Sequence, residues 1–182
     1  MLKSSFRHIK GIGPHKEKKL WSSKILSWKD YKNHTERQLS LFSNDIISEI
    51  EMSELAFEEQ NADYFAERLD TSEYYKIALS FPKDVMFLDI ETTGLSHYYN
   101  EITCIGWSFE NEFDVWYVGM DTNILTEAFN RAKCVVTFNG SMFDLRFIRI
   151  KFPELKISKT HIDLRFYSKR FELTKGQKAI EE

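Results

Sequence analysis

The sequence predicts an α/β protein, a mixed sheet with helices packed on it, preceded by a small helical N-terminal region. Three features predict it. Runs of apolar, β-forming residues stand at 85–91, 102–109, 115–119 and 134–138. Amphipathic segments at 122–132 and 142–152 follow the third and fourth runs, and such alternation sets helices against a sheet with parallel pairs. Ahead of residue 80 the spacing is helical instead. There Ile46, Ile47 and Ile50, then Tyr64, Phe65 and Leu69, recur at three to four residues.

The chain begins with a basic stretch. Residues 1–32 carry nine Lys or Arg against two acids, whereas residues 33–80 carry three against eleven. This segregation points to an arm that meets polyanions at 1–35, an acidic helical connector at 36–80 and a core at 81–182. Within the arm, Gly11-Ile12-Gly13-Pro14 is a tight turn, with Pro placed for the first turn of a helix. Leu20 and Trp21 open the apolar side of that helix, and Ile25 and Trp28 close a small core. The arrangement resembles a helix-hairpin-helix unit, in which Gly11 and Gly13 let backbone N–H groups approach a phosphate. Lys16, Lys18 and Lys19 would add salt-sensitive, sequence-independent affinity. A plain turn beside a solvated basic face is the alternative. In the connector, Ser43 or Asn44 is placed to cap a helix, and Phe81-Pro82 ends the helical part.

The core opens on an apolar run, Val85 to Leu95, that carries Asp89 and Glu91 and stops at a Thr-Thr-Gly turn. On a strand these acids point to one face, with α-carbons about 6.6 Å apart. Two carboxylates so spaced can reach one hard cation, whose oxygen ligands lie about 2.0–2.6 Å away. Buried and unpaired they would be costly, so a metal or open water must face them. The runs at 102–109 and 115–119 make the next strands, with a hairpin around Glu110-Asn111-Glu112. A helix over 122–132 puts Ile124, Leu125, Ala128 and Phe129 on one stripe. A short strand at 134–138 closes with Asn139-Gly140-Ser141, and a helix from Met142 to Phe152 stops at Pro153. Asp144, near the start of that helix, returns a carboxylate to the end of the sheet. Alone it reads as an ordinary helix N-terminal acid.

Hydrophobic content of 42 % and aromatic content of 15 % suffice for a packed core and exclude a wholly disordered chain. No run approaches the roughly 20 apolar residues that cross a bilayer. The first residues hold no apolar signal region. Cys104 and Cys134 lie inside apolar runs, so buried reduced thiols and a cytoplasmic location are expected.

Taken together, Phe87-Leu88-Asp89-Ile90-Glu91-Thr92-Thr93-Gly94-Leu95 and Val136-Thr137-Phe138-Asn139-Gly140-Ser141-Met142-Phe143-Asp144-Leu145 resemble the first two motifs of a nuclease family. They are the DEDD (DnaQ-like) 3′–5′ exonucleases of the ribonuclease H-like superfamily. The YprB-type branch is similar further along the chain, in the Gly-Ile-Gly hairpin, in residues 62–69 and in His161-Ile162-Asp163-Leu164-Arg165. The resemblance implies a ribonuclease H-like core, two divalent ions, Mg²⁺ or Mn²⁺, and removal of nucleotides from 3′ ends of single-stranded nucleic acid. Asp89, Glu91 and Asp144 would be the metal ligands and catalytic residues. One ion would activate water and the other stabilise the leaving oxygen, about 3.5–4 Å apart. By the same resemblance Thr92, Thr93, Gly94 and Leu95 border the terminal nucleotide, and Asn139 and Phe143 line the strand's path. A helicase or other repair factor fits the lineage as partner, though no residue marks one.

The family pattern also asks for a fourth carboxylate on a later helix, preceded by a Tyr or His. Residues 176–182 read only as the opening of that helix, so the third motif is missing. The chain is then expected to be a fragment, a shortened relative or one completed by a partner chain. Catalysis is expected to suffer by orders of magnitude, general-base help alone being worth about 10²–10⁴-fold, and part of the sheet to lie uncovered. Asp163 is expected to cap a helix and His161 to be structural. A non-catalytic nucleic-acid-binding or scaffold module of the same fold is the second reading.

Overall fold

A computed structural model describes residues 1–37 and 44–169. Ser43 and residues 176–182, to which the sequence assigned a cap and a helix opening, lie outside them. The chain divides into two compact units, Met1–Ser80 and Phe81–Glu182.

The first unit is helical: α1 (Pro14–Ser22), α2 (Trp28–Arg37), α3 (Asn44–Glu58), α4 (Ala62–Ala66) and α5 (Tyr75–Ala78). Leu2, Phe6, Ile9, Trp28 and Phe65 form its buried centre, with the Trp28 and Phe65 rings stacked 6.2 Å apart. His8 lies 5.2 Å and 5.4 Å from these rings. Burial first, then the charges of Arg68 and Lys76, push its pKa down to about 3, so the imidazole stays neutral. The glycine turn is fastened to this centre by a buried acid. Glu17 of α1 accepts from the Ser5 hydroxyl at 3.0 Å and the Phe6 N–H at 2.7 Å, and the Trp28 indole donates to the Ser5 carbonyl at 2.7 Å. Ile25 and Trp28 do close this core, but Trp21 stays 38 % exposed, on the wall of an open pocket that Met1, Pro14 and Leu26 also line.

The second unit is a mixed five-stranded sheet with packed helices, a ribonuclease H-like fold. In chain order it runs β1 (Val85–Thr92), β2 (Ile102–Phe109), β3 (Glu112–Tyr117), α6 (Asn123–Arg131), β4 (Cys134–Thr137), α7 (Asp144–Lys151), β5 (His161–Asp163) and α8 (Leu164–Ser168). The strand order is β3-β2-β1-β4-β5, antiparallel from β3 to β1 and parallel from β1 to β5. Met86, Leu88 and Ile90 enter the core with Leu125 of α6 and Phe147 of α7. Phe87, Asp89 and Glu91 alternate with them on the exposed side of β1. Two boundaries differ from the sequence expectation. β3 starts at Glu112 because Phe109 and Glu112 pair directly across a two-residue turn. α7 starts at Asp144, two residues late, because the preceding loop is tied elsewhere. Among the described residues no helix is long and apolar enough to cross a membrane.

Candidate active site

Strand order makes the site. β1 lies at the centre of the sheet with β4 parallel beside it, so their C-terminal ends emerge together. β4 pairs with β1 only over Val85–Phe87, so beyond Phe87 the β1 backbone has no β4 partner. Asp89 and Glu91 project from this free end, and Glu91 is followed at once by an irregularity in the β1–β2 register.

The loop after β4 brings in the third acid. Asn139 takes a left-handed φ of +67°. Gly140 then packs so tightly that a Cβ there would stand 2.2 Å from Thr137 Oγ1. Asp163, at the end of β5, holds the loop from below. Its carboxylate accepts from the Asn139 N–H at 2.8 Å, the Ser141 N–H at 3.0 Å and the Arg165 N–H at 3.1 Å. Burial works to raise its pKa, but these bonds and the Ser141 hydroxyl outweigh it and keep the carboxylate below the usual range. Asp163 thus caps α8, as the sequence suggested, and also clamps 139–141, which the sequence did not reveal. His161 Nε2 lies 2.8 Å from Thr137 Oγ1, a structural contact in the same clamp.

So positioned, α7 begins at Asp144, only 3 % exposed. Burial is the main cause that raises its pKa to about 6, and the charges of Asp89 and Asp163 add to it. Its own N–H and that of Ile90 donate to the carboxyl and offset part of the rise. Ile90 is the residue between Asp89 and Glu91, so the Asp144 carboxyl reaches the backbone of the strand that carries the acid pair. Cys104 stands across from Glu91. Burial, then the charges of Glu91 and Asp89, push its thiol up, which keeps it uncharged beside the acids. A cleft of about 590 Å³ lies over Asp89 and Glu91. Its lining includes Phe87, Phe113 and Tyr117, the exposed apolar residues of the outer sheet face.

Three carboxylates suit a hard divalent ion; burial chiefly raises Asp144, and a cation would relieve the smaller share that the charges of Asp89 and Asp163 add. Closure is what the arrangement lacks. Among the described residues no three His, Cys, Asp or Glu side chains are grouped closely enough to hold a metal ion.

Around the acids, Thr92 Oγ1 donates to the Gly94 carbonyl at 2.7 Å, and Thr93 Oγ1 accepts from the Glu101 N–H at 3.0 Å. Gly94 is closely packed, since a Cβ would meet the Asn100 side chain at 2.8 Å. Leu95 is 84 % exposed. Arg165 donates to Asn139 Oδ1 at 2.5 Å. Phe143 is partly buried against the core, its ring 5.0 Å from Phe147. In the first unit, Gly11 has φ +83°, Gly13 caps α1, and Lys16, Lys18 and Lys19 are exposed.

Residues 86–182, more than half of the chain, match the profile of a family described as the RNase_H superfamily. The chain belongs to that superfamily. Solved structures are matched as well, among them the crystal structure of the Aedes aegypti Nibbler EXO domain, at a TM-score of 0.41 and 11 % identity. The alignment covers 56 % of this chain and 53 % of that one, so the chain spans about half the length of its match. So distant a likeness adds nothing to the assignment. No curated protein matches the sequence.

Proposed function

We propose that this chain is a nuclease domain that removes nucleotides from the 3′ ends of single-stranded nucleic acid with divalent ions, Mg²⁺ or Mn²⁺. One observation carries the reading. The Asp144 carboxyl is drawn onto the N–H between Asp89 and Glu91 and is raised to about 6 by burial and like charge. Asp89, Glu91 and Asp144 would hold the ions, which when bound supply activation of water and countercharge for the leaving oxygen. Asp144 must lose its proton to bind a cation, so affinity rises with pH. Asp163 acts behind it as a positioning residue, since its bonds from the Asn139 and Ser141 N–H groups hold the loop that leads into α7. Thr92 to Leu95 would border the terminal nucleotide, with Asn139 and Phe143 along the strand's path. Lys16, Lys18 and Lys19 with the Gly11 and Gly13 turn would hold the phosphate backbone, and a helicase or repair factor that supplies unpaired ends fits as partner.

The unclosed donor set favours a second reading, a binding module of the same fold without chemistry. A 3′-labelled single strand separates them. The first reading expects mononucleotides to be released with Mg²⁺ or Mn²⁺, and release to stop in Asp89→Ala or with chelator. Binding without cleavage at any metal concentration would leave the second reading standing.

A further inference from the structure

Just beyond the acid pair, the loop from Thr93 to Glu101 shows two rings to solvent, Tyr98 at 74 % and Tyr99 at 90 % exposure. Rings so exposed contribute little burial to the fold, and an exposed aromatic pair on one short turn calls for an explanation. The loop beneath them is braced. The Thr93 N–H donates to the Glu101 carbonyl at 3.0 Å, the Ser96 N–H to Asn100 Oδ1 at 2.9 Å, and the Asn100 N–H to the Ser96 carbonyl at 2.8 Å. Lys151 of α7 pairs with Glu101 at 2.6 Å. The rings are therefore presented by a fixed loop, which loses little freedom when something stacks on them.

A ladder of rings ties this loop to the site. Phe143, next to Asp144, lies 5.0 Å from Phe147, Phe147 lies 5.6 Å from His97, and His97 lies 5.3 Å from Tyr98. His97 is turned inward, and its Nδ1 is buried without a hydrogen-bond partner among the described residues. The imidazole serves there as a ring that supports Tyr98. The ladder thus runs from the residue beside the third carboxylate out to an open aromatic face.

We propose that Tyr98 and Tyr99 are a stacking platform for unpaired nucleobases of the strand whose end lies at Asp89, Glu91 and Asp144. The inference rests on the nuclease reading and adds to it the means by which the substrate is held regardless of base. Uncharged rings suit this place, because the acid pair without its ions repels phosphate, whereas every base offers a π-face and stacking ignores its identity. A platform of this kind selects single strands over duplex, whose bases are already stacked.

The test measures binding of a fluorescein-labelled oligothymidylate and of its abasic counterpart by anisotropy, in chelator so that nothing is cleaved. Tyr98→Ala with Tyr99→Ala is expected to weaken binding on the order of tenfold, and the paired Phe variant to bind as wild type. The abasic strand should bind wild type as weakly as thymidylate binds the Ala variant. Equal binding of both strands by wild type, or equal losses in the Ala and Phe variants, would overturn the platform. A second arm supplies the 3′-labelled strand with Mn²⁺. Cleavage there, with binding in chelator indifferent to the Tyr98 and Tyr99 substitutions, sinks the platform alone. Wild type that neither binds in chelator nor cleaves with Mn²⁺ sinks the nuclease reading and the platform with it.

Discussion

At the scale of single residues, Asp144 carries a measurable signature. Its pKa is raised from 3.8 to about 6, so the folded state prefers the protonated form. The stability this confers is fully present below about pH 4 and is lost as pH rises through 6. A rise of that size corresponds to about 3 kcal/mol as an order of magnitude. Without metal, wild type should therefore weaken between pH 4 and 7 relative to Asp144→Asn, as read by urea unfolding at several pH values; parallel curves would contradict it. The sequence showed this residue beside its partners in name only. Asp89 and Glu91 were legible because an i, i+2 pair in a β-forming run can face only one way. Burial of Asp144 and its bond from Ile90 depend on β4 stopping short of the end of β1, which no local pattern records. Asp163 was legible as a helix cap, a bond two residues away, but not as the clamp on 139–141, which is reached from 22 and 24 residues off.

At the scale of elements, the turn between β4 and α7 is the least forgiving. A Cβ at Gly140 would lie 2.2 Å from the Thr137 hydroxyl oxygen and 2.5 Å from its Cβ, and Thr137 is 2 % exposed. Gly140→Ala should cost about 1–3 kcal/mol by overpacking and shift the start of α7. A lowered denaturation midpoint is the expected readout, and unchanged stability would show the loop more yielding than its packing implies. The long elements of this unit were readable in advance, because β1 alternates cleanly and α6 keeps Leu125, Ala128 and Phe129 on one buried stripe. β5 was hard to read from local pattern, since three residues carry no periodicity and their strand character comes from pairing with β4. Trp21 misled for the opposite reason. It has the right chemistry for a core, but it stands on the wall of an open pocket instead.

At the scale of the whole molecule, the proposed function gives the two units different tasks. The exposed Lys16, Lys18 and Lys19 beside a glycine turn suit phosphates. Their neutralisation to Gln should reduce the salt dependence of single-strand binding by a slope of about 0.7 for each phosphate they no longer neutralise. An unchanged slope would remove the first unit from the interface. The second unit holds the acids, and the proposed function requires Asp89, Glu91 and Asp144 to act as one cation-binding group. Calorimetric titration of Mn²⁺ into the full chain tests it most directly. Saturable binding to wild type, strengthened as pH rises past 6 and lost in both Asp89→Ala and Asp144→Asn, is the predicted result. Binding that survives both substitutions, or none in wild type at any pH, would contradict it.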